Sequence, residues 1–147
     1  MTTSLGIAEA LYVDGEIHRG DWEPLFSGQG FSVDRRYCTE EDSLVVVWRG
    51  AFDAPIIPQD LQAHFVASTF AHLDDPPRIE LDFRALTFVN SRLMMFIAKV
   101  FYDLRIKFKY FVVRYNPNIG FQRKLFQTLK SMSSSFGSDS YVYFKES

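Results

Sequence analysis

Ser91 is the residue of this chain whose type and position best suit a chemical event. It follows Asn90 at the start of a strongly apolar helical segment, after the alternating strand pattern of residues 78–83 and a short loop. The first N–H groups of a helix lack partners inside the helix, so an N-terminal turn accommodates negative charge. Ser91 therefore places a modifiable hydroxyl where an added phosphate is tolerated.

A plain structural role explains the same two residues. Serine and asparagine are common at helix starts because their side chains accept hydrogen bonds from the first backbone N–H groups. We predict Asn90 as the helix cap; its amide accepts and donates hydrogen bonds but cannot act as a carboxylate base. Ser91 as an ordinary first-turn residue stays open as the alternative.

The other reactive residues form no recognisable catalytic or metal site. His64 and His72 are eight residues apart in one predicted helix and lack a third ligand at useful spacing, and His18 lies far away in sequence. Cys38 is the single cysteine and has no adjacent base. Neither a GxSxG elbow nor a GxxxxGK[ST] loop is present. We therefore expect no enzyme, no catalytic residue, no metal and no cofactor.

Charge is distributed unevenly along the 147 residues. Residues 1–83 hold 15 acidic and 5 basic side chains, whereas residues 84–130 hold 10 basic side chains and one acidic one. Such asymmetry can mark a surface for nucleic acid or an acidic partner. The simpler explanation, which we favour, is that the two halves lie side by side and offset each other. The basic half lacks RRM motifs and zinc-finger spacing, so no nucleic-acid partner is expected.

Composition and targeting signals favour a single cytoplasmic domain. The hydrophobic fraction of 47% and the length fit one globular core. The first residues carry acids and no basic n-region, which is unlike a signal peptide. Charged residues interrupt the longest apolar helical segment, so we expect no membrane association.

From Phe31 onward, strand and helix patterns alternate. The predicted order is ββαβαβαβ, which indicates an α/β fold with a mixed sheet of four to five strands and helices mainly on one face. Residues 1–30 are predicted to be an N-terminal extension that packs on a domain of residues 31–147. The predicted strands are 31–39, 44–52, 78–83, 109–115 and 141–145. The predicted helices are 58–73, 91–106 and 116–132. The last of these helices is predicted to be capped by Asn116, with Pro117 at its first position.

Two segments, IELDFRALTFVNS and VVRYNPNIGFQRKLFQTL, together with this element order, resemble the STAS domain of anti-sigma-factor antagonists. The resemblance covers roughly residues 31–145. That family has a strand ending in Leu-Asp, a short loop, a Phe-hydrophobic pair and then Asp-Ser-Ser-Gly leading into a helix. Here the corresponding residues are Leu81-Asp82, Phe88-Val89 and Asn90-Ser91-Arg92-Leu93, so the last four residues depart from the family pattern at three positions.

The resemblance implies a non-catalytic regulatory domain in a bacterial partner-switching pathway. It implies that Ser91 is the phosphoacceptor, that an anti-sigma-type serine kinase phosphorylates it to release the partner, and that a PP2C-type phosphatase restores binding. We expect a protein partner to bind the corner that includes this serine. The predicted partner-binding residues are Phe88, Asn90, Ser91, Arg92, Met94 and Met95.

Two other functions remain open from the residues alone. The chain could be a structural subunit that self-associates as a homo-oligomer or scaffolds an assembly, with Ser91 only a cap. The 15 phenylalanines and the segment from Trp22 to Phe31 would then supply contact surface. A binder of anions or nucleic acid through residues 84–130 ranks last, and it would require strongly salt-dependent affinity.

Overall fold

The computed structural model describes residues 22–38, 42–65, 78–137 and 140–146. In these parts of the chain, six strands form one sheet and three helices accompany it. The strands are β1 (Trp22–Gly28), β2 (Phe31–Cys38), β3 (Ser43–Phe52), β4 (Arg78–Val89), β5 (Tyr110–Tyr115) and β6 (Tyr141–Glu146). The helices are α1 (Gln59–Ala63), α2 (Ser91–Leu104) and α3 (Gly120–Ser133).

The strands lie side by side in the order of the sequence. β1, β2 and β3 pair antiparallel, and β3, β4, β5 and β6 pair parallel. The predicted mixed α/β sheet is confirmed at this level, but the predicted count of four to five strands is too low. The additional strand is β1, which lies within the predicted N-terminal extension. Its strand pattern is weak in sequence because Pro24 and a register shift between Pro24 and Phe26 interrupt the alternation.

β4 is longer than the sequence indicated, and the loop predicted after Phe83 is wrong. The strand continues to Val89 because β3 keeps pairing with it through two register shifts. These irregularities change the spacing of buried side chains, so that Leu86 and Val89 face the core three residues apart. A pattern with a period of two residues could not reveal this segment as a strand.

The helices partly match their predicted bounds. α2 confirms the predicted helix that begins at Ser91. α3 begins at Gly120, so the predicted start at Asn116-Pro117 is wrong: the Asn116 side chain accepts a hydrogen bond from the Asn118 N–H at 2.9 Å and closes a turn before the helix. The predicted helix of residues 58–73 is described only as far as Phe65.

All three helices contribute to one hydrophobic core on one face of the sheet. Phenylalanine and tryptophan rings fill its centre, and the Trp48 ring stacks on the Phe65 ring at a centroid distance of 5.3 Å. Charged side chains of the central strands, such as Asp82 and Arg114, point from the opposite face. Core residues from the sheet and helices include Val33, Val46, Trp48, Leu81, Phe83, Val113, Leu93, Ile97, Phe101, Leu125 and Leu129.

A buried amide fixes α3 against the end of β4. Gln122 is fully buried, and its side chain donates a hydrogen bond to the Leu86 carbonyl at 2.8 Å. Its side-chain oxygen accepts from the Asn116 N–H at 2.6 Å. Because a buried amide without partners is costly, these bonds specify one position for α3 beside the irregular part of β4.

Gly50 allows β3 to turn toward the loop that follows it. Its φ is +90°, and a Cβ built there would lie 1.8 Å from the Gly30 carbonyl oxygen. The next residue, Ala51, donates its N–H to that same oxygen at 3.0 Å. A side chain at position 50 would therefore separate the end of β3 from the turn between β1 and β2.

Gly50→Ala is expected to lower the free energy of unfolding by about 3 kcal/mol or more, because it adds a backbone clash to the cost of a left-handed conformation. Gly30→Ala is the matched control: Gly30 has φ +82°, but a Cβ there meets nothing within 4 Å. It should cost only about 1 kcal/mol. Urea unfolding of both variants measures the difference, and equal losses would contradict the role of the close approach.

Candidate functional site

Asn90 connects the end of β3, the end of β4 and the start of α2. Its backbone N–H donates to the Phe52 carbonyl at 3.1 Å, and its side-chain Nδ2 donates to the Ala54 carbonyl at 2.8 Å. Its side-chain Oδ1 accepts from the Leu93 N–H at 3.0 Å, which confirms Asn90 as the helix cap. One residue thus holds the β3–α1 loop against the first turn of α2.

Ser91 is the first residue of α2 and is exposed. The Leu93 N–H is bonded to the Asn90 side chain and the Met94 N–H to the Asn90 carbonyl, so the first turn is held in place. No acidic residue lies in that turn. A negative group on the Ser91 hydroxyl would therefore sit near the positive end of the helix without carboxylate repulsion from the helix itself.

The other predicted partner-binding residues divide into exposed and anchored ones. Phe88 is 46% exposed and Met95 is 73% exposed, which is unusual for large apolar side chains, and Arg92 is exposed as well. Asn90 is half-buried in its hydrogen bonds, and Met94 is half-buried against the core. The strand–turn–helix connection therefore carries exposed apolar and basic groups within four residues of the exposed serine.

The exposed side of α2 extends this surface further than the sequence indicated. Residues three or four apart share a helix face, and Ser91 is followed at this spacing by Met95, Lys99 and Tyr102. Tyr102 is exposed, and the Arg105 guanidinium lies 3.9 Å from its ring centroid. The sequence does not mark Tyr102 as exposed, because α2 is apolar nearly all round and its pattern does not distinguish core from surface. We call the exposed residues Phe88, Ser91, Arg92, Met95, Lys99 and Tyr102 the α2 surface.

A second feature is a charged groove on the face of the sheet opposite the helices. Its volume is about 680 Å³. The Arg84 guanidinium pairs with Asp82 at 2.7 Å, and the Arg114 guanidinium pairs with Glu80 at 2.6 Å. Further lining residues from β1, β2 and β3 include Trp22, Arg36, Val45, Val47 and Arg49.

Burial and ion pairing act in opposite directions on the pKa values of the carboxylates Asp82 and Asp34. Burial opposes the ionisation of Asp82, but hydrogen bonds from Arg84 and the charges of Arg84 and Arg114 outweigh it and lower the pKa of Asp82. Asp82 is therefore ionised at neutral pH and unsuited to act as a general acid. At Asp34, burial raises the pKa in spite of the ion pair with Arg49. The Arg84 guanidinium is engaged with Asp82.

Among the described residues, no group of three or more histidine, cysteine, aspartate or glutamate side chains is arranged to hold a metal ion. No helix in that part of the chain is long and apolar enough to cross a membrane.

Comparison with protein-family models gives no match, and comparison with curated proteins gives none either.

Asn90→Asp is expected to destabilise the protein although aspartate is as good a helix cap as asparagine. A carboxylate at position 90 still accepts from the Leu93 N–H, but it cannot donate to the Ala54 carbonyl and would place oxygen against oxygen. We expect a loss of about 2 kcal/mol in the free energy of unfolding. Asn90→Ser keeps the cap without that repulsion and should lose about 1 kcal/mol. Wild-type stability of the aspartate variant in urea unfolding would show that the bond to Ala54 is unimportant.

Proposed function

We propose that this chain is a non-catalytic regulatory domain of STAS-like fold that binds a protein partner through the α2 surface and is controlled by phosphorylation of Ser91. The observation that carries the proposal is the exposure of Ser91 together with that of two large apolar side chains within four residues of it, Phe88 and Met95. Exposed apolar groups beside a fixed modifiable hydroxyl suit a surface that binds in one chemical state and releases in the other.

The charges of the α2 surface indicate the chemistry of the partner. Arg92 is exposed beside Ser91, and Arg105 lies over the Tyr102 ring; among the residues of α2 the acidic group is Asp103, which pairs with Lys99 at 2.7 Å. Such a surface fits a partner with apolar side chains flanked by carboxylates. The surface therefore favours an acidic, partly apolar face on the partner.

Phosphorylation would act on docking and not on folding. A phosphate adds a charge of roughly −1.5 to −2, and near the positive end of α2 it does not destabilise the helix. The same charge opposes the carboxylates of an acidic partner, and Arg92 would turn from the partner toward the phosphate. The switch is thus local: the charge on one side of the interface changes sign while the sheet and α2 stay intact.

The STAS resemblance supplies the expected enzymes of this switch, an anti-sigma-type serine kinase and a PP2C-type phosphatase. In the corresponding family position an aspartate precedes the serine, whereas this chain has Asn90. The Nδ2 bond to the Ala54 carbonyl gives a structural reason for the amide, since a carboxylate cannot make it. We therefore propose that Asn90 is a positioning residue for Ser91 and takes no part in proton transfer.

The test compares partner binding by wild type, Ser91→Ala and Ser91→Asp. The wild-type chain is used to capture a partner from extracts of its source cells, and the purified partner is then titrated calorimetrically with each variant. We expect Ser91→Ala to bind like wild type and Ser91→Asp to bind about tenfold more weakly, because a fixed negative charge opposes an acidic partner.

Two controls separate the switch from general effects. Ser131→Asp adds the same charge to an exposed position on α3 and should leave the affinity unchanged. Met95→Ala removes an exposed apolar contact and should weaken binding without changing stability. Equal affinity of the partner for all Ser91 variants would rule out the switch. Wild-type affinity of the partner for Met95→Ala would show that α2 is not part of the interface.

A further inference from the structure

The two edges of the sheet differ in how they are protected. β1 forms one edge and carries Pro24 together with a register shift next to it. Proline and irregularities are devices that block further strand pairing at an edge. β6 forms the opposite edge and has neither: its six residues, YVYFKE, pair regularly with β5 along their whole length. Among the strands of the described residues, none pairs with the outer side of β6, so this edge is available to another strand.

Exposed aromatic side chains accompany this open edge. Tyr141 and Tyr143 are 55% and 66% exposed, and Tyr110 on the neighbouring strand is exposed as well. The Tyr110 and Tyr141 rings stack at 5.3 Å, next to a cavity of about 500 Å³ lined by β5 and β6. Exposed aromatic rings along an unprotected strand are typical of a surface that a second chain covers.

The backbone of β6 determines which groups remain for a partner strand. The Tyr141 N–H donates to the Lys109 carbonyl at 2.8 Å, so Tyr141 directs its backbone groups toward β5. Since backbone groups of successive residues point to opposite sides of a strand, Val142 and Phe144 direct theirs outward. By the same alternation Glu146 also directs its groups outward, so an added strand bonds to backbone groups of this set of residues.

We propose that β6 pairs antiparallel with β6 of a second copy of this chain, with Tyr143 on the two-fold axis. In this register the outward groups of Val142 and Phe144 bond to Phe144 and Val142 of the second copy. Tyr143 then faces Tyr143, and Tyr141 faces Lys145, on the same side of the joined sheet. Lys145 would extend over the aromatic groove at Tyr141, an arrangement favourable to cation–π contact. Strand β6 is thus self-complementary, which identifies a second copy as the occupant.

The proposal is independent of the α2 surface, because β6 and α2 carry different residues. Sedimentation of the full chain should give twice the 17.0 kDa of one copy at high concentration and dissociation on dilution. Tyr143→Glu places like charges opposite each other at the axis and should give a monomer with an unchanged circular dichroism spectrum. Tyr102→Glu, on α2, is the matched control and should remain a dimer, as should Ser91→Asp.

Cysteine cross-linking in a Cys38→Ser background tests the register. Tyr143→Cys should form an intermolecular disulfide readily, since facing residues of a non-hydrogen-bonded antiparallel pair lie about 4.5 Å apart at Cα, within the disulfide range. Tyr141→Cys and Lys145→Cys should cross-link when mixed with each other and much less when oxidised separately. A monomeric wild type, a dimeric Tyr143→Glu variant, or cross-linking at Tyr102→Cys as fast as at Tyr143→Cys would overturn the proposal.

Discussion

The Asn90 side-chain amide is the interaction on which the geometry of the functional surface depends. It donates to the Ala54 carbonyl, accepts from the Leu93 N–H, and follows directly on the last residue of β4. One side chain therefore fixes the β3–α1 loop and the first turn of α2 relative to the sheet. Ser91 is exposed in a defined position because the preceding residue, Asn90, is anchored both to the loop and to the helix. Asn90 is half-buried, which makes its hydrogen bonds stronger than those on an open surface.

This anchor requires an irregular sheet. Gly50 lets β3 approach the Gly30 carbonyl, which sets the course of the chain toward Phe52 and Ala54. Register shifts in the pairing of β3 with β4 keep the two strands together until Val89, immediately before Asn90. The buried Gln122 side chain bonds to the same irregular part of β4 from α3. Strand irregularities next to a site commonly serve to aim one side chain, and here they aim Asn90.

The sequence predicted the elements whose signals are local. The strands β2 and β3, the apolar helix α2 and its Asn90 cap depend on alternation, helical periodicity and capping chemistry, and all are confirmed. The extended end of β4 and the edge strand β1 depend on pairing with distant residues and were missed. The start of α3 was misplaced because an asparagine side chain that bonds two residues ahead makes either a turn or a cap. The exposed face of α2 was not distinguished, since burial depends on what packs against the helix.

The acidic first part and the basic second part of the chain meet within the sheet. Glu80 on β4 pairs with Arg114 on β5, as expected if the two halves lie side by side and offset each other. On α2, Arg92 is exposed directly beside Ser91. The central claim is that this serine carries the regulatory phosphate. Site-mapping mass spectrometry of the protein isolated from its own cells tests it most directly: we predict that part of the population carries one phosphate on Ser91. A Ser91 peptide that is unmodified under every growth condition, in partner-bound and partner-free protein alike, would contradict the account.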